Sequence, residues 1–191
     1  MVHVVNLPVE TLSNVINIDD PRVLVPIEEL VAEFSKEKDK IVRSMYATPD
    51  LTEKVIKFNT DIAYITQCER KEIVKTNNIR YFKIHMKYFP SEKEFDIILP
   101  SYVKLFSRTA KSYVPAEFIR KSDILVDYTG NIVQVFTNEQ IFDFEPTEYY
   151  SLKLNVNNSK TPITFYVAGI FANVCYNDFN LKEEDLDDDN E

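Results

Sequence analysis

The chain has 191 residues, with 22 basic and 31 acidic side chains, a formal net charge of −9, and 45% hydrophobic residues. This composition can bury a core, and it excludes a wholly disordered or fibrous protein. No apolar run approaches the roughly 18 residues of a membrane span, so we expect no membrane association. Two cysteines and two histidines argue against a disulfide scaffold and a four-ligand zinc site, and we expect no bound metal.

Glycine occurs only twice, as Gly130 and Gly169. Phosphate-binding loops and dinucleotide-binding motifs need several closely spaced glycines, so nucleotide-binding sites of these kinds are excluded. We therefore expect no cofactor. The shortage of glycine is typical of an AT-rich genome, such as that of a virus or a phage, because glycine codons are rich in G and C.

The predicted elements begin with an extended arm or short strands over 1–25. Apolar residues spaced by three and four positions then predict an amphipathic helix over 27–46. Runs of β-forming residues separated by turn signals predict a series of strands: 61–67, 70–76, 79–89, 94–99, 102–108, 124–128, 132–137, 149–156 and 163–176. We expect one domain over 26–181, mostly β with one long helix (α+β), built as an OB-like barrel or a β-sandwich.

Charge is strongly segregated along the chain. Residues 51–121 carry 14 of the 22 basic side chains and 11 of the 24 Phe and Tyr residues, whereas 182–191 carry seven carboxylates in ten positions. A basic, aromatic-rich segment within an acidic protein is typical of a nucleic-acid-binding surface. The acidic end buries nothing and repels itself, so we expect a disordered tail over 182–191.

Two predicted strands place cations and aromatic rings together, because alternate side chains of a strand point to opposite faces. Aromatic rings stack on unpaired bases while Lys and Arg follow the phosphates, so we expect these faces to bind single-stranded DNA. The alternative is that the rings pack under a helix or loop and the Lys stems extend past them to solvent. The candidate nucleic-acid-binding residues are Tyr81, Lys83, His85, Lys87, Tyr102, Lys104, Phe106 and Arg108.

Signals for catalysis are weak. Cys68 has no histidine near it in sequence, so it is interpreted as a structural thiol rather than a nucleophile. The many acidic side chains contain no pair that spacing singles out as catalytic. We therefore expect a non-enzymatic protein.

The order of elements resembles that of the small single-stranded-DNA-binding proteins of tailed phages. The matching segments are the helix over 27–46, ILVDYTGNIVQVF (124–136), YYSLKLNV (149–156), ITFYVAGIFANVCY (163–176) and the acidic end KEEDLDDDNE. The resemblance implies an OB-type barrel whose groove holds single-stranded DNA in the host cytoplasm. It also implies a tail that covers this groove and recruits replication proteins, through Glu183, Glu184, Asp185, Asp187, Asp188, Asp189 and Glu191.

Two other functions remain open from the sequence. The aromatic-rich, β-rich chain with an arm over 1–25 also fits a viral structural or assembly protein that forms a homo-oligomer. The acidic tail and the acidic segment before it also fit an adaptor, or an inhibitor that mimics nucleic acid.

Overall fold

The computed structural model describes residues 2–8, 15–18, 20–50, 57–73, 79–126, 131–156, 165–167 and 170–173. Within these ranges lie fourteen strands, one α-helix and a single 3-10 turn at Ala116–Phe118. The helix, α1, spans Ile27–Lys36. The strands are β1 Val2–Pro8, β2 Val15–Ile18, β3 Asp20–Pro26, β4 Val42–Asp50, β5 Lys57–Glu72, β6 Tyr81–Phe89, β7 Glu94–Pro100, β8 Lys104–Ser107, β9 Ser112–Pro115, β10 Ile124–Val126, β11 Ile132–Ile141, β12 Glu148–Val156, β13 Phe165–Val167 and β14 Ile170–Asn173.

The strands form two antiparallel sheets. The first has the order β1-β12-β5-β4-β2-β3, and the second has the order β13-β14-β8-β10-β11-β6-β7 with β9 beside β8. The sixteen-residue strand β5 joins the two halves of the first sheet. Its beginning pairs with β4 and its end pairs with β12, so β1, β12 and β4 are all positioned by this one strand.

The helix is shorter than the sequence predicts. It buries Ile27 and Leu30, and Glu28 lies in the first turn, where a negative charge favours the positive end of the helix dipole. The four residues after Lys36 are all charged and offer no apolar contact, and helices in proteins depend on such packing. The apolar residues from Val42 onward belong to β4 instead, so the predicted helix over 37–46 is wrong.

The core lies between the sheets and under α1. In β6, Phe82, Ile84 and Met86 are buried on one face, as the alternation predicts. The prediction of a mostly β fold with one helix is confirmed over the described ranges. The predicted strands over 124–128 and 132–137 correspond to β10 and β11, which pair with each other, while Gly130 lies outside the described residues.

The segment 1–25 contributes β1, β2 and β3 to the first sheet. The predicted acidic tail over 182–191 lies outside the described residues. Over the described ranges, no helix combines the length and the apolar character that crossing a membrane requires.

Candidate functional site

The candidate residues on β6 lie in three different environments. Tyr81 is buried at 4% exposure, and its ring packs edge-to-face on Phe144 with 4.8 Å between centroids. Lys83 is exposed, and its Nζ lies 3.7 Å from Asp96 Oδ2 on the neighbouring strand β7. The Lys87 ammonium lies over the ring of Phe136, 5.9 Å from the centroid. A ring in the core and cations with protein partners do not form an open base-stacking face.

His85 is held between two carboxylates of β7. Its Nδ1 is 2.5 Å from Asp96 Oδ1, and its Nε2 is 3.6 Å from Glu94 Oε1. The hydrogen bond to Asp96 raises the pKa of His85 above its ordinary value, and Glu94 adds to this effect. His85 is therefore engaged within the hairpin of β6 and β7.

The candidate residues between 102 and 108 also differ in their exposure to solvent. Lys104 and Arg108 are exposed, whereas Phe106 is buried at 1% exposure and packs edge-to-face on Tyr113. Tyr102 is half-buried, and its hydroxyl donates a hydrogen bond to the main-chain oxygen of Asn6. In the segment 102–108, the aromatic rings are thus partly or fully buried, whereas the cations are exposed. The tail candidates Glu183, Glu184, Asp185, Asp187, Asp188, Asp189 and Glu191 lie outside the described residues.

The contact between Tyr102 and Asn6 marks the most unusual polar site in the described chain. Asn6 is completely buried in β1, and neither Oδ1 nor Nδ2 of its carboxamide has a hydrogen-bond partner. Buried polar groups without partners cost about 1–3 kcal/mol and are rare in folded proteins. On the neighbouring strand, Ser151 is paired with Asn6 in the register of β1 and β12 and is also buried.

A turn positions the Tyr102 side chain at this site. The Val103 N–H donates to the Pro100 carbonyl at 3.1 Å, and the Ser101 N–H donates to the Arg80 carbonyl at 2.8 Å. Pro100 ends β7 because it has no N–H to continue the ladder. The chain therefore turns at 100–103 and directs Tyr102 toward β1, which is 96 residues away in sequence.

A second set of polar contacts fixes α1 against β5 and β12. The Tyr150 hydroxyl donates to Glu28 Oε2, and Arg70 Nη1 lies 3.4 Å from the same oxygen. Arg70 also donates through Nε to Glu148. Burial raises the pKa of Tyr150, and its hydrogen bond to Glu28 raises it further. These contacts hold the strand β12 that carries Ser151.

The described cysteine is not suited to nucleophilic attack. Cys68 is buried at 2% exposure, and burial raises the pKa of its thiol to about 12, with Glu28 and Glu69 adding to the shift. A thiol with this pKa stays protonated at neutral pH. The described residues also bring together no group of three His, Cys, Asp or Glu side chains arranged for a metal ion.

Comparisons with known proteins find a similar fold among solved structures. No protein-family model matches it, and no curated protein matches it. The bacterial intein-like domain from Clostridium thermocellum is similar, with a TM-score of 0.51 and 17% identity over 90% of this chain and 98% of that domain. An intein from a hyperthermophile gives a TM-score of 0.48 and 15% identity over 88% of this chain and 99% of that one. The similarity to the intein-like domain establishes a shared fold and nothing further.

This similarity corrects several expectations from the sequence. The resemblance to the single-stranded-DNA-binding proteins of tailed phages is wrong, because the chain shares its fold with an intein-like domain. Single-stranded DNA and replication proteins as partners, and a non-enzymatic role, are corrected with it. The interpretations as a viral structural protein and as an acidic adaptor have no support among these matches. The physical reason for the error is that the burial of Tyr81 and Phe106 cannot be read from strand alternation alone.

Sequence reasoning missed Asn6. The signal was present as a carboxamide inside the apolar run VHVVNLP of β1. An isolated polar residue in such a run lies either on the solvent-facing side of its strand or in the core, and the sequence does not distinguish these two positions. Only the burial of both Asn6 and its neighbour Leu7 shows that β1 has no open face at this point.

Proposed function

We propose that the chain is a self-processing domain that breaks a peptide bond of the polypeptide that carries it. A fold by itself does not define a function, so the proposal depends on the chemistry of a site. Its main support is the contact in which the half-buried Tyr102 donates its hydroxyl to the Asn6 carbonyl, beside a buried carboxamide without a hydrogen-bond partner. The intein-like fold is consistent with it, because inteins are protein-splicing domains.

The Asn6 carbonyl belongs to the peptide bond between Asn6 and Leu7, and Tyr102 makes this carbonyl the better electrophile. Attack on a carbonyl carbon places negative charge on its oxygen, and a fixed hydroxyl donor stabilises that charge. The site excludes water from Asn6, which strengthens the electrostatic contribution of the donor. Tyr102 therefore acts on the oxygen that develops charge.

The nucleophile in this proposal is the carboxamide nitrogen of Asn6 itself. Nδ2 attacks the main-chain carbon of Asn6 and forms a five-membered cyclic imide. The bond from that carbon to the Leu7 nitrogen breaks, one Nδ2 proton is transferred to this nitrogen, and Leu7 leaves as a free amine. The step needs no co-reactant, and the tether between nucleophile and carbonyl gives it the advantage of an intramolecular reaction.

Intact-mass measurement under denaturing conditions tests this function. The full chain, flanked by a folded reporter at each end, is incubated at neutral pH, and we expect a fragment that ends in a cyclic imide at Asn6 and a second fragment that begins at Leu7. The variant Asn6→Ala should give no cleavage at this bond. Tyr102→Phe should slow cleavage by about 100-fold, the typical loss for one oxyanion donor.

A matched control separates chemistry from folding. Tyr113 also has a buried hydroxyl without a hydrogen-bond partner, but it lies against Phe106 and not on a carbonyl. Tyr113→Phe should therefore cleave at the rate of the unaltered chain. The proposal is wrong if no bond of the chain or its junctions is cleaved, and the assignment of the site is wrong if Asn6→Ala cleaves at the same bond as before.

A further inference from the structure

A groove of about 730 Å³ opens where the two sheets meet. Its walls are the end of β5, the beginning of β6 and the connection from β11 to β12. The groove is separate from the contact between Tyr102 and Asn6, since none of its lining residues belongs to that site. The residues that matter for its chemistry are Glu72, Tyr81, Phe142, Phe144, Glu145 and Glu148.

The charged residues that the structure describes in the groove are all acidic. Three glutamates line it, and the described lining residues include no Lys or Arg. Glu148 is neutralised in part by Arg70, which binds it through Nε. Glu72 and Glu145 are exposed and have no ion pair among the described residues, so their charges are available to a ligand.

Aromatic rings form the other part of the groove. Phe142 is 81% exposed, the largest exposure among the large hydrophobic side chains of the described chain. Phe144 packs edge-to-face on Tyr81 with 4.8 Å between centroids, which fixes its orientation in the wall. An aromatic face attracts a cation, and it also covers the aliphatic stem of a lysine or arginine side chain.

From this arrangement we propose that the groove binds an extended peptide segment of a partner protein through its Lys or Arg side chains. The charge of the groove is complementary to such a segment, because free carboxylates and an exposed ring line the same groove. The two kinds of group suit different parts of one side chain: the glutamates pair with the cationic head, and Phe142 covers the stem. A neutral or acidic peptide would gain only the contact with the ring.

Fluorescence anisotropy with the full chain tests the binding. The probes are labelled hexapeptides of alternating Lys and Ala, and of alternating Glu and Ala as the opposite charge. We expect the basic peptide to bind and its affinity to fall as salt rises, because the ion pairs are exposed. Phe142→Ala should weaken binding about two- to fivefold, which is the effect of one exposed ring contact with a basic side chain.

Two control variants carry the same chemical change outside the groove. Phe118→Ala removes an exposed phenylalanine with 59% exposure, and Glu139→Gln removes an exposed carboxylate on β11. Glu145→Gln should weaken binding by a similar factor to Phe142→Ala, while both controls should leave it unchanged. Equal effects from groove and control variants would show attraction to the acidic protein as a whole and overturn the proposal, as would equal affinity for the acidic peptide. The readout is binding, so the result is independent of whether the chain cleaves itself.

Discussion

Replacing Asn6 by valine tests whether its buried carboxamide lowers the stability of the fold. Asn6 has 0% exposure, and its two polar side-chain atoms have no partner. Valine favours strands and brings no polar atom to this position. Because unpaired buried polar groups cost about 1–3 kcal/mol, we expect Asn6→Val to raise the free energy of unfolding by about that amount. The melting temperature should rise by about 2–4 °C for each kcal/mol in a chain of this length.

The control for this variant is the same substitution at Asn138. Asn138 Nδ2 donates to the Ala116 carbonyl at 2.7 Å and to the Ile119 carbonyl at 2.8 Å. Its Oδ1 is buried without a partner, so removing that atom offsets part of the loss. Because each of the two hydrogen bonds contributes about 0.5–1.5 kcal/mol net, Asn138→Val should still lower the free energy of unfolding, by up to about 3 kcal/mol. The two asparagine substitutions are thus expected to change stability in opposite directions.

Urea unfolding, followed by circular dichroism at equal protein concentration, measures both variants. A decrease in stability for Asn6→Val similar to that of Asn138→Val would refute the reasoning, because it would mean that the Asn6 carboxamide has partners that stabilise the fold. An increase would mean that the chain retains a residue that destabilises it. Loss of cleavage in the same variant would connect that cost to the proposed chemistry.

Three further predictions concern other parts of the molecule. The carboxylate partners of His85 raise its folded-state pKa above the unfolded pKa near 6.5. The stability that protonated His85 contributes is therefore present below the unfolded pKa and is lost as the pH rises through the raised folded-state value. The variant His85→Gln should flatten this pH dependence of the free energy of unfolding, measured by urea unfolding. Cys68 should resist iodoacetamide in the folded chain and react on unfolding, as measured by mass spectrometry of a Cys175→Ser variant; fast reaction of the folded chain would contradict its burial. Lys111 has a φ of 53°, so Lys111→Gly should raise the free energy of unfolding by up to about 1 kcal/mol, whereas a decrease would show that no strain is relieved.

Local patterns in the sequence predict much of the strand structure. The alternation in 79–89 correctly identifies the face that buries Ile84 and Met86, because each strand contacts the core on one side. Turn signals also separate the predicted strands over 124–128 and 132–137, which the structure shows paired as β10 and β11. The helix was extended too far because the apolar spacing after residue 40 fits both a helix and the beginning of β4.

The candidate site could not be predicted, since it depends on contacts between distant parts of the chain. Asn6 and Tyr102 meet only after β1 pairs with β12 and the turn after β7 has formed. The same limitation misled the interpretation of the basic residues. Lys83 and His85 were expected to face solvent, but β7 places Asp96 beside both of them.

The position of β1 at the edge of its sheet has a consequence for any product of cleavage after Asn6. Val2 through Asn6 would remain aligned with Asn155 through Ser151 of β12, so the severed piece would stay in place as a non-covalently bound strand. The nicked molecule would keep its shape and would elute from a sizing column like the uncut chain. Its unfolding would also become a dissociation into two pieces, so its melting temperature would rise with protein concentration.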